Sequence, residues 1–279
     1  MRIPPQLETL IEYGVIQEVI RPLLSGKEAQ VYLVESGGDV RAAKVYKPQG
    51  KRSFRKRSQY TEGRKMRNSR DQRAVNKGSR YGKQKDESAW GNAEVTIINK
   101  LYDAGVRVPK PYDFVDGVLV MECVAGPDGG VAQRIADCDL DREEGLAICD
   151  QILREAVKML CVDVVHADLS VYNVLLADDG PVIIDFPQAL GASKNRHARK
   201  ILLRDIANIT DALRFGRPPK SLRFGYEMWD LYERGELTPE STLTGNFDLP
   251  DHQVDPDLLL LEMQQVEEDE ALARLDFED

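Results

Sequence analysis

The feature that most constrains this chain is a loop pattern followed by an apolar strand pattern. Residues 166–173 read H-A-D-L-S-V-Y-N, and residues 182–185 read V-I-I-D. An Asp, a nearby Asn and a second Asp after an apolar run can orient a nucleophile and hold metal ions against nucleotide phosphates. Each fragment occurs in loops by chance, but their combined spacing predicts a phosphoryl-transfer site. Asp168 and Asp185 are the predicted catalytic residues, and Asn173 and Asp185 are the predicted metal ligands.

A lysine within a strand-like run supports the same interpretation. Residues 40–47 have a β-rich composition and carry Lys44 where a protein kinase has its phosphate-binding lysine. A lysine in an apolar strand is costly unless an opposite charge meets it. Glu94 is the predicted partner, because it lies in a helical pattern over residues 89–104. The alternative is an edge-strand lysine that extends to solvent, which fits the Asp-Asn-Asp pattern less well.

The segment before this strand predicts an unusual phosphate loop. Residues 25–29 read S-G-K-E-A, with one glycine where protein kinases carry G-x-G-x-x-G. We expect the Ser25 hydroxyl and the Lys27 ammonium to donate hydrogen bonds to phosphate oxygens instead. Because Lys27 is followed by Glu28 rather than Ser or Thr, the segment is not a Walker A loop.

With these motifs, the chain resembles the RIO atypical protein kinases in a bacterial-type version. The resemblance covers roughly residues 5–216 and is carried by S-G-K-E-A-Q-V-Y, A-K-V-Y-K, the basic insert, W-x-x-x-E, H-x-D-L-S-x-Y-N and I-I-D-x-x-Q. It implies a bilobal α+β protein-kinase-like fold, with a β-rich N-lobe and a helical C-lobe, and ATP with Mg2+ or Mn2+ as cofactors. Two departures are Ala167, where the family usually has Gly, and Phe186-Pro187, which would stiffen the turn after Asp185.

The order of the patterns predicts three parts of the chain. They are an N-terminal helix and N-lobe over residues 1–124 with a basic insert at 44–86, a C-lobe over 125–235, and an acidic helix and tail over 236–279. At the predicted hinge between the lobes, the backbone of Glu122 and Val124 would hold the adenine edge. No A-P-E motif follows Asp185, so we expect a fold truncated after the metal-binding loop, without a peptide-docking platform.

The net charge of -9 conceals two segments of opposite charge. Residues 44–85 hold sixteen Lys or Arg against Glu62 and Asp71, a balance of +14. So many like charges repel one another, and an anion such as RNA would neutralise them. The functional interpretation is an RNA or ribosomal-subunit contact through this insert, and the alternative is a solvated loop.

The C-terminal segment has the opposite sign. Residues 226–279 hold seventeen Asp or Glu against Arg234 and Arg274, a balance of -15. Asp255 and Pro256 are typical of a helix start, and a helix is predicted over residues 255–275. The tail either competes with RNA by folding onto the basic insert or serves only as a solubilising end.

Composition sets the remaining expectations. No run of apolar residues is long enough to span a membrane, and the first residues lack an apolar signal core. The four cysteines show no C-x-x-C spacing, which favours free thiols in a reducing cytoplasm. The oligomeric state is left open.

These observations predict an ATP-dependent RIO-type serine/threonine kinase or ATPase. It would act by autophosphorylation or ATP hydrolysis, and the family resemblance implies a ribosomal or RNA-containing partner. One alternative is a small-molecule phosphotransferase of the aminoglycoside or choline type, which shares the H-x-D, N and I-D arrangement. The other is an RNA-binding pseudokinase, although such a protein would not need Lys44, Glu94 and the Asp-Asn-Asp set together.

Overall fold

The computed structural model describes residues 3–26, 29–47, 93–214 and 222–248. Its N-terminal part consists of helix α1, Pro5–Glu12, and an antiparallel sheet of five strands in the order β1-β2-β3-β5-β4. The strands span Glu18–Ser25 (β1), Ala29–Ser36 (β2), Asp39–Tyr46 (β3), Pro111–Val115 (β4) and Val118–Glu122 (β5). Residues 93–103 form helix α2 between β3 and β4.

Two tight turns give the sheet its hairpins. Gly37 and Gly38 connect β2 to β3 with φ of 63° and 82°, and Asp116 and Gly117 connect β4 to β5 with φ of 48° and 73°. Two-residue turns with positive φ at both positions match the twist of antiparallel strands, and glycine tolerates them best. Strand β3 therefore lies inside the sheet, hydrogen-bonded to β2 on one side and to β5 on the other.

The side chains of β3 alternate between the two faces of the sheet. Ala43 and Val45 belong to an apolar cluster with Leu7 and Leu10 of α1, so this face is covered by the N-terminal helix. Lys44 lies on the opposite face, which faces α2 and the C-terminal part of the chain. The same strand thus supplies core residues on one face and a functional candidate on the other.

The C-terminal part is mainly helical. Its helices span Arg142–Cys161 (α3), Ala198–Arg214 (α4) and Leu222–Glu233 (α5). A small antiparallel sheet is formed by Gln133–Arg134 (β6), Val174–Ala177 (β7) and Gly180–Ile183 (β8). Helix α3 begins with a capping box, in which Asp141 accepts from the Glu144 N–H and Glu144 accepts from the Asp141 N–H. One apolar cluster runs from α2 through α3 to α4 and α5 and joins the two parts.

The predicted α+β bilobal kinase-like fold is confirmed. The single helix α1 ends at Glu12, and β8 ends at Ile183, two residues before the predicted strand end at Asp185. After β8 the chain reaches α4 without an intervening helix of the kind that docks peptides. Most of the basic insert and the helix predicted over residues 255–275 lie outside the described residues. In the described part of the chain, no helix is both long and apolar enough to cross a membrane.

Candidate active site

Lys44 lies between two carboxylates at the centre of the cleft. Its ammonium donates to Glu94 Oε1 at 2.7 Å and to Asp185 Oδ1 at 2.6 Å. Lys44 is 8% exposed and Glu94 is 2% exposed. The structure therefore brings together one residue from the sheet, one from α2 and one from the loop after β8, which lie far apart in the sequence.

The charges of this group stabilise one another. Burial alone would lower the pKa of Lys44, but the carboxylates of Glu94 and Asp185 outweigh it and raise that pKa above its ordinary value. Burial alone would raise the pKa of Asp185, but the Lys44 ammonium lowers it. Asp185 is consequently ionised at neutral pH, which both a metal ligand and a nucleophile require. Its φ of 70° turns the backbone sharply at the end of the strand pattern.

Two further groups surround the Glu94 carboxylate. The Phe186 N–H donates to Glu94 Oε1 at 3.3 Å, so the residue after Asp185 is tied to α2. Glu94 Oε2 and the Tyr46 hydroxyl are both buried and have no hydrogen-bond partner among the described residues. Burial first, and then the nearby Glu94 carboxylate, raise the pKa of Tyr46. The sequence did not predict that Tyr46 lies beside Glu94. The available signal was its two-residue spacing from Lys44, which places both side chains on the same face of β3.

His166 braces the candidate catalytic loop, residues 166–173, and is not placed to act as a base. Its Nε2 lies 3.0 Å from the Ile184 carbonyl oxygen, and its Nδ1 accepts from the Asp168 N–H at 3.3 Å. Its ring packs against Phe186 at 4.8 Å between centroids. Burial lowers its pKa, so the imidazole is neutral, with its proton on Nε2. His166 therefore connects the loop that carries Asp168 to the strand that leads to Asp185.

Asn173 is held against Asp168 by its amide nitrogen. Asn173 Nδ2 donates to the Asp168 carbonyl oxygen at 2.7 Å and to Asp168 Oδ2 at 3.2 Å. This orientation leaves the amide oxygen of Asn173 available to a cation. Burial raises the pKa of Asp168, which makes its carboxylate a better proton acceptor than an exposed one.

The donor set fits a cation that also binds phosphate. Mg2+ is typically held by one or two carboxylates together with substrate phosphates rather than by a complete protein cage. Asp185 and Asn173 supply such a partial set, and the Asp185 side chain is 45% exposed. Within the described ranges, no group of three or more His, Cys, Asp or Glu side chains forms a self-sufficient metal site.

A buried acid on α4 anchors the catalytic loop, and sequence analysis missed it. Asp205 is 1% exposed and accepts from the Ala167 N–H at 2.7 Å and from Arg204 Nη2 at 3.0 Å. Arg204 Nη2 also donates to the Ala167 carbonyl oxygen at 2.7 Å. Ala167 has φ of 70°, which explains why glycine is favoured there. Burial raises the pKa of Asp205 to about 6. The adjacent charged residues Arg204 and Asp205, which stand between the apolar residues Leu203 and Ile206, were the available signal.

The predicted hinge is tied to both parts of the molecule by Arg107. The Arg107 guanidinium donates to both oxygens of Glu122 at 3.1 and 3.2 Å, and to Asp179 in the β7–β8 turn. The Val124 carbonyl oxygen accepts from the Ala132 N–H at 2.9 Å. Among the described residues, the Val124 N–H donates to no backbone carbonyl. Arg107 was not among the predicted site residues.

At Ser25 and Gly26, the part of the predicted phosphate loop that the structure describes, the neighbouring cation is Lys47, whereas the sequence predicted Lys27. Ser25 ends β1, and its hydroxyl accepts from Gln30 Nε2 and from Lys47 Nζ, both at 3.4 Å. Lys47 Nζ also donates to the Gly26 carbonyl oxygen at 2.6 Å. Lys27 lies outside the described residues, so its predicted role stays a prediction.

The fold and the arrangement of these groups define a protein-kinase-like molecule. A solved structure of this fold, the Rio2 kinase-ADP/Mg2+-phosphoaspartate complex from Chaetomium thermophilum, aligns with a TM-score of 0.55 and 17% identity. The alignment covers 94% of this chain and 75% of that chain, and at this identity it shows the fold alone.

Sequence comparison defines the family. The RIO domain family model matches residues 30–221, so the chain belongs to the RIO domain family. The RIO-type serine/threonine-protein kinase Rio1 of Haloferax volcanii is 33% identical over 207 residues, which cover 74% of this chain and 66% of that protein. The protein of the same name from Methanocaldococcus jannaschii is 34% identical over 203 residues, covering 71% and 64%. Human serine/threonine-protein kinase RIO1 is 29% identical over 204 residues, covering 72% and 34%, so the chain spans between one third and two thirds of these relatives.

Proposed function

We propose that this protein is an ATP-dependent RIO-type serine/threonine kinase with ATPase activity. The observation that carries the proposal is the Lys44 ammonium bound to both Glu94 and Asp185, beside the Asp168–Asn173 pair. A non-catalytic RNA-binding module would not need this buried ion-pair group. The names of the matched relatives, serine/threonine-protein kinases, support the same activity.

Each part of the site has a role in binding Mg-ATP. The hinge backbone at Glu122 and Val124 would hold the adenine edge. Ser25 and Lys27 at the phosphate loop, together with Lys44, would contact phosphate oxygens, and Glu94 would keep Lys44 in place. Asn173 and Asp185 would hold Mg2+, or Mn2+ in its stead, which neutralises charge on the phosphates.

The acceptor that the site favours is Asp185 itself. An Asp185 oxygen would attack the γ-phosphorus, the bond to the bridging oxygen would break with release of ADP, and an acyl phosphate would form. Water would then attack that phosphorus while Asp168 accepts its proton, which frees inorganic phosphate and restores the carboxylate. The lowered pKa of Asp185 and the raised pKa of Asp168 support this division of roles. The Rio2 kinase of the same fold, whose complex with ADP and Mg2+ contains a phosphoaspartate, supports it too.

Hydroxylamine distinguishes this intermediate from serine autophosphorylation. After incubation with ATP labelled at the γ-phosphate and an acid quench, we expect hydroxylamine to release the label, because it cleaves acyl phosphates and leaves phosphoserine intact. The control is a variant with alanine at the four serines of the insert, which should label like the parent. They are Ser53, Ser58, Ser69 and Ser79. Label that resists hydroxylamine and disappears in this variant would show that serine is the acceptor.

We further propose that the basic insert, residues 44–85, binds RNA or a ribosomal subunit. Its +14 balance includes Lys44, which the structure places in β3, so the cations after that strand carry the proposal: residues 48–85 hold fourteen Lys or Arg against Glu62 and Asp71. Replacing four of its cations with alanine should weaken RNA binding and reduce the slope of log affinity against log salt by about 0.7–0.9 per lost phosphate contact. The four cations are Arg52, Arg55, Lys56 and Arg57. Fluorescence anisotropy with a labelled RNA over a salt series measures both quantities.

The matched control for the insert removes four exposed cations elsewhere. They are Lys100, Lys110, Arg142 and Arg234. This control should lower the affinity less than the insert variant, and neither variant should change basal ATP turnover. Affinity that does not vary with salt in the parent protein would contradict a phosphate contact.

The four cysteines support the cytoplasm as the site of action. Cys123, Cys138, Cys149 and Cys161 are all free thiols, and Cys149 is buried. Buried and half-buried free thiols persist in a reducing compartment. We therefore place the protein in the cytoplasm.

A further inference from the structure

A second basic surface, separate in sequence from the insert, lies on the C-terminal part of the fold. It is formed by Lys194, Arg196, Arg199, Lys200 and Arg204, and we call it the α4 basic surface. No Asp or Glu occurs between residues 193 and 204. Lys194 and Arg196 are exposed, and the other three are half-buried. The first turns of α4 and the loop before it thus carry five cations, of which Arg204 is paired with Asp205.

This surface borders the catalytic loop at one end. Arg204 donates to the carbonyl oxygen of Ala167, the residue immediately before Asp168. At the other end, the Arg199 guanidinium lies 5.1 Å from the centre of the Tyr226 ring. The surface therefore extends from the candidate active site to helix α5.

The C-terminal segment of the described chain leads to the same place. Phe247 stacks on Tyr226 with ring centres 6.3 Å apart and an interplanar angle of 17°. Both residues pack with Leu203 of α4 in one apolar cluster. Glu227 holds the preceding turn by accepting from the N–H groups of Thr244 and Gly245. The chain therefore reaches residue 248 beside the ring that Arg199 contacts.

The residues that follow have the complementary charge. Residues 249–279 contain eleven Asp or Glu against Arg274 alone, a balance of -10. Because this acidic segment is covalently attached next to the α4 basic surface, its effective concentration there is high, on the order of millimolar. Exposed ion pairs are weak individually, but several on a tethered segment add up.

We propose that residues 249–279 bind the α4 basic surface of their own chain. The acidic segment would then cover the cations beside the catalytic loop and compete with any anionic partner that approaches from this side. This site is distinct from the basic insert. The inference depends on the charges and contacts of α4 and α5, and it holds whether or not the proposed kinase activity is correct.

Zero-length cross-linking of the full chain tests the proposal. A water-soluble carbodiimide joins a lysine amine to a carboxylate only when the two are in contact. We expect cross-links from Lys194 or Lys200 to carboxylates of residues 249–279, found by mass spectrometry of the digested protein. Lys100 and Lys110, which are exposed on other surfaces, are the matched control amines. Raising the salt to about 1 M, where the Debye length is about 3 Å, should remove the cross-links.

Two variants of the full chain make the result specific. Arg196→Glu should reduce the cross-links at Lys200 several-fold, whereas Arg142→Glu, a change at another exposed arginine, should not. Replacing the four acids Glu267, Glu268, Asp269 and Glu270 with their amides should act like Arg196→Glu. A mixture of isotopically light and heavy protein should give links within one chain, since the proposal requires an intramolecular contact.

Other outcomes would overturn the inference. Cross-links from the acidic segment only to lysines of the insert would show that the insert is its binding surface. Yields at Lys194 and Lys200 no higher than at Lys100 and Lys110 would show that no specific contact forms. Cross-links that stay unchanged while an excess of a labelled RNA photo-cross-links to α4 would show that the acidic segment does not compete with an anionic partner for this surface. None of these readouts uses ATP turnover, so failure of the proposed kinase activity would not affect them.

Discussion

Replacing Asp168 with Asn is expected to lower ATP turnover about 10²- to 10⁴-fold, the range typical of losing a general base. The amide has nearly the same shape but cannot accept a proton. Asp168 lies at the surface of the cleft and contacts Asn173, so the change leaves the buried Lys44 group intact. We therefore expect the affinity for Mg-ATP and the thermal stability to stay close to the parent values.

The control for this change is Asp178→Asn, at an exposed aspartate in the β7–β8 turn. Turnover is measured as phosphate release at saturating ATP, and affinity by titration with a fluorescent nucleotide. Parent-like turnover in Asp168→Asn would show that another group takes the proton, and the assignment of Asp168 would be wrong. A loss of affinity equal to the loss of turnover would assign it to binding instead.

Replacing Lys44 with Met should both abolish tight Mg-ATP binding and destabilise the fold. The lysine is 8% exposed, and its removal leaves the carboxylate of Glu94, which is 2% exposed, without its cation. Breaking a buried ion pair by removing one partner costs about 3–5 kcal/mol. We expect the lower part of that range, because the other partner, Asp185, has a side chain that is 45% exposed. The shift of the urea midpoint, at an unchanged slope, measures the cost.

A second substitution separates the loss of stability from the loss of function. Lys44→Met combined with Glu94→Gln removes the unpaired charge and keeps an oxygen that can accept from the Phe186 N–H. This double variant should recover most of the stability but none of the nucleotide affinity. Lys110→Met, at an exposed lysine, is the matched control and should change neither quantity. A urea midpoint for Lys44→Met equal to the parent value would mean that the ion pair does not form in solution.

The residues identified from the sequence are those whose chemistry appears in local spacing. Asp168 and Asn173 lie five residues apart in one loop, and Asp185 follows an apolar strand pattern. All three residues could therefore be recognised along the chain. Lys44 was recognisable because a charge within an apolar strand is costly alone. Glu94 was recognisable as its candidate partner because it lies in a helical pattern.

The tertiary structure decided which distant residues support that site. Asp205 follows Asp168 by 37 residues, and only the packing of α4 on the catalytic loop brings its carboxylate to the Ala167 N–H. Arg107 meets Glu122 and Asp179 because the segment after α2, the end of β5 and the β7–β8 turn converge at the hinge. Buried polar groups need partners, but a sequence does not show which of many donors and acceptors will be near. The sequence therefore determined the reacting groups through local patterns, whereas their supports depend on long-range packing, which no local pattern encodes.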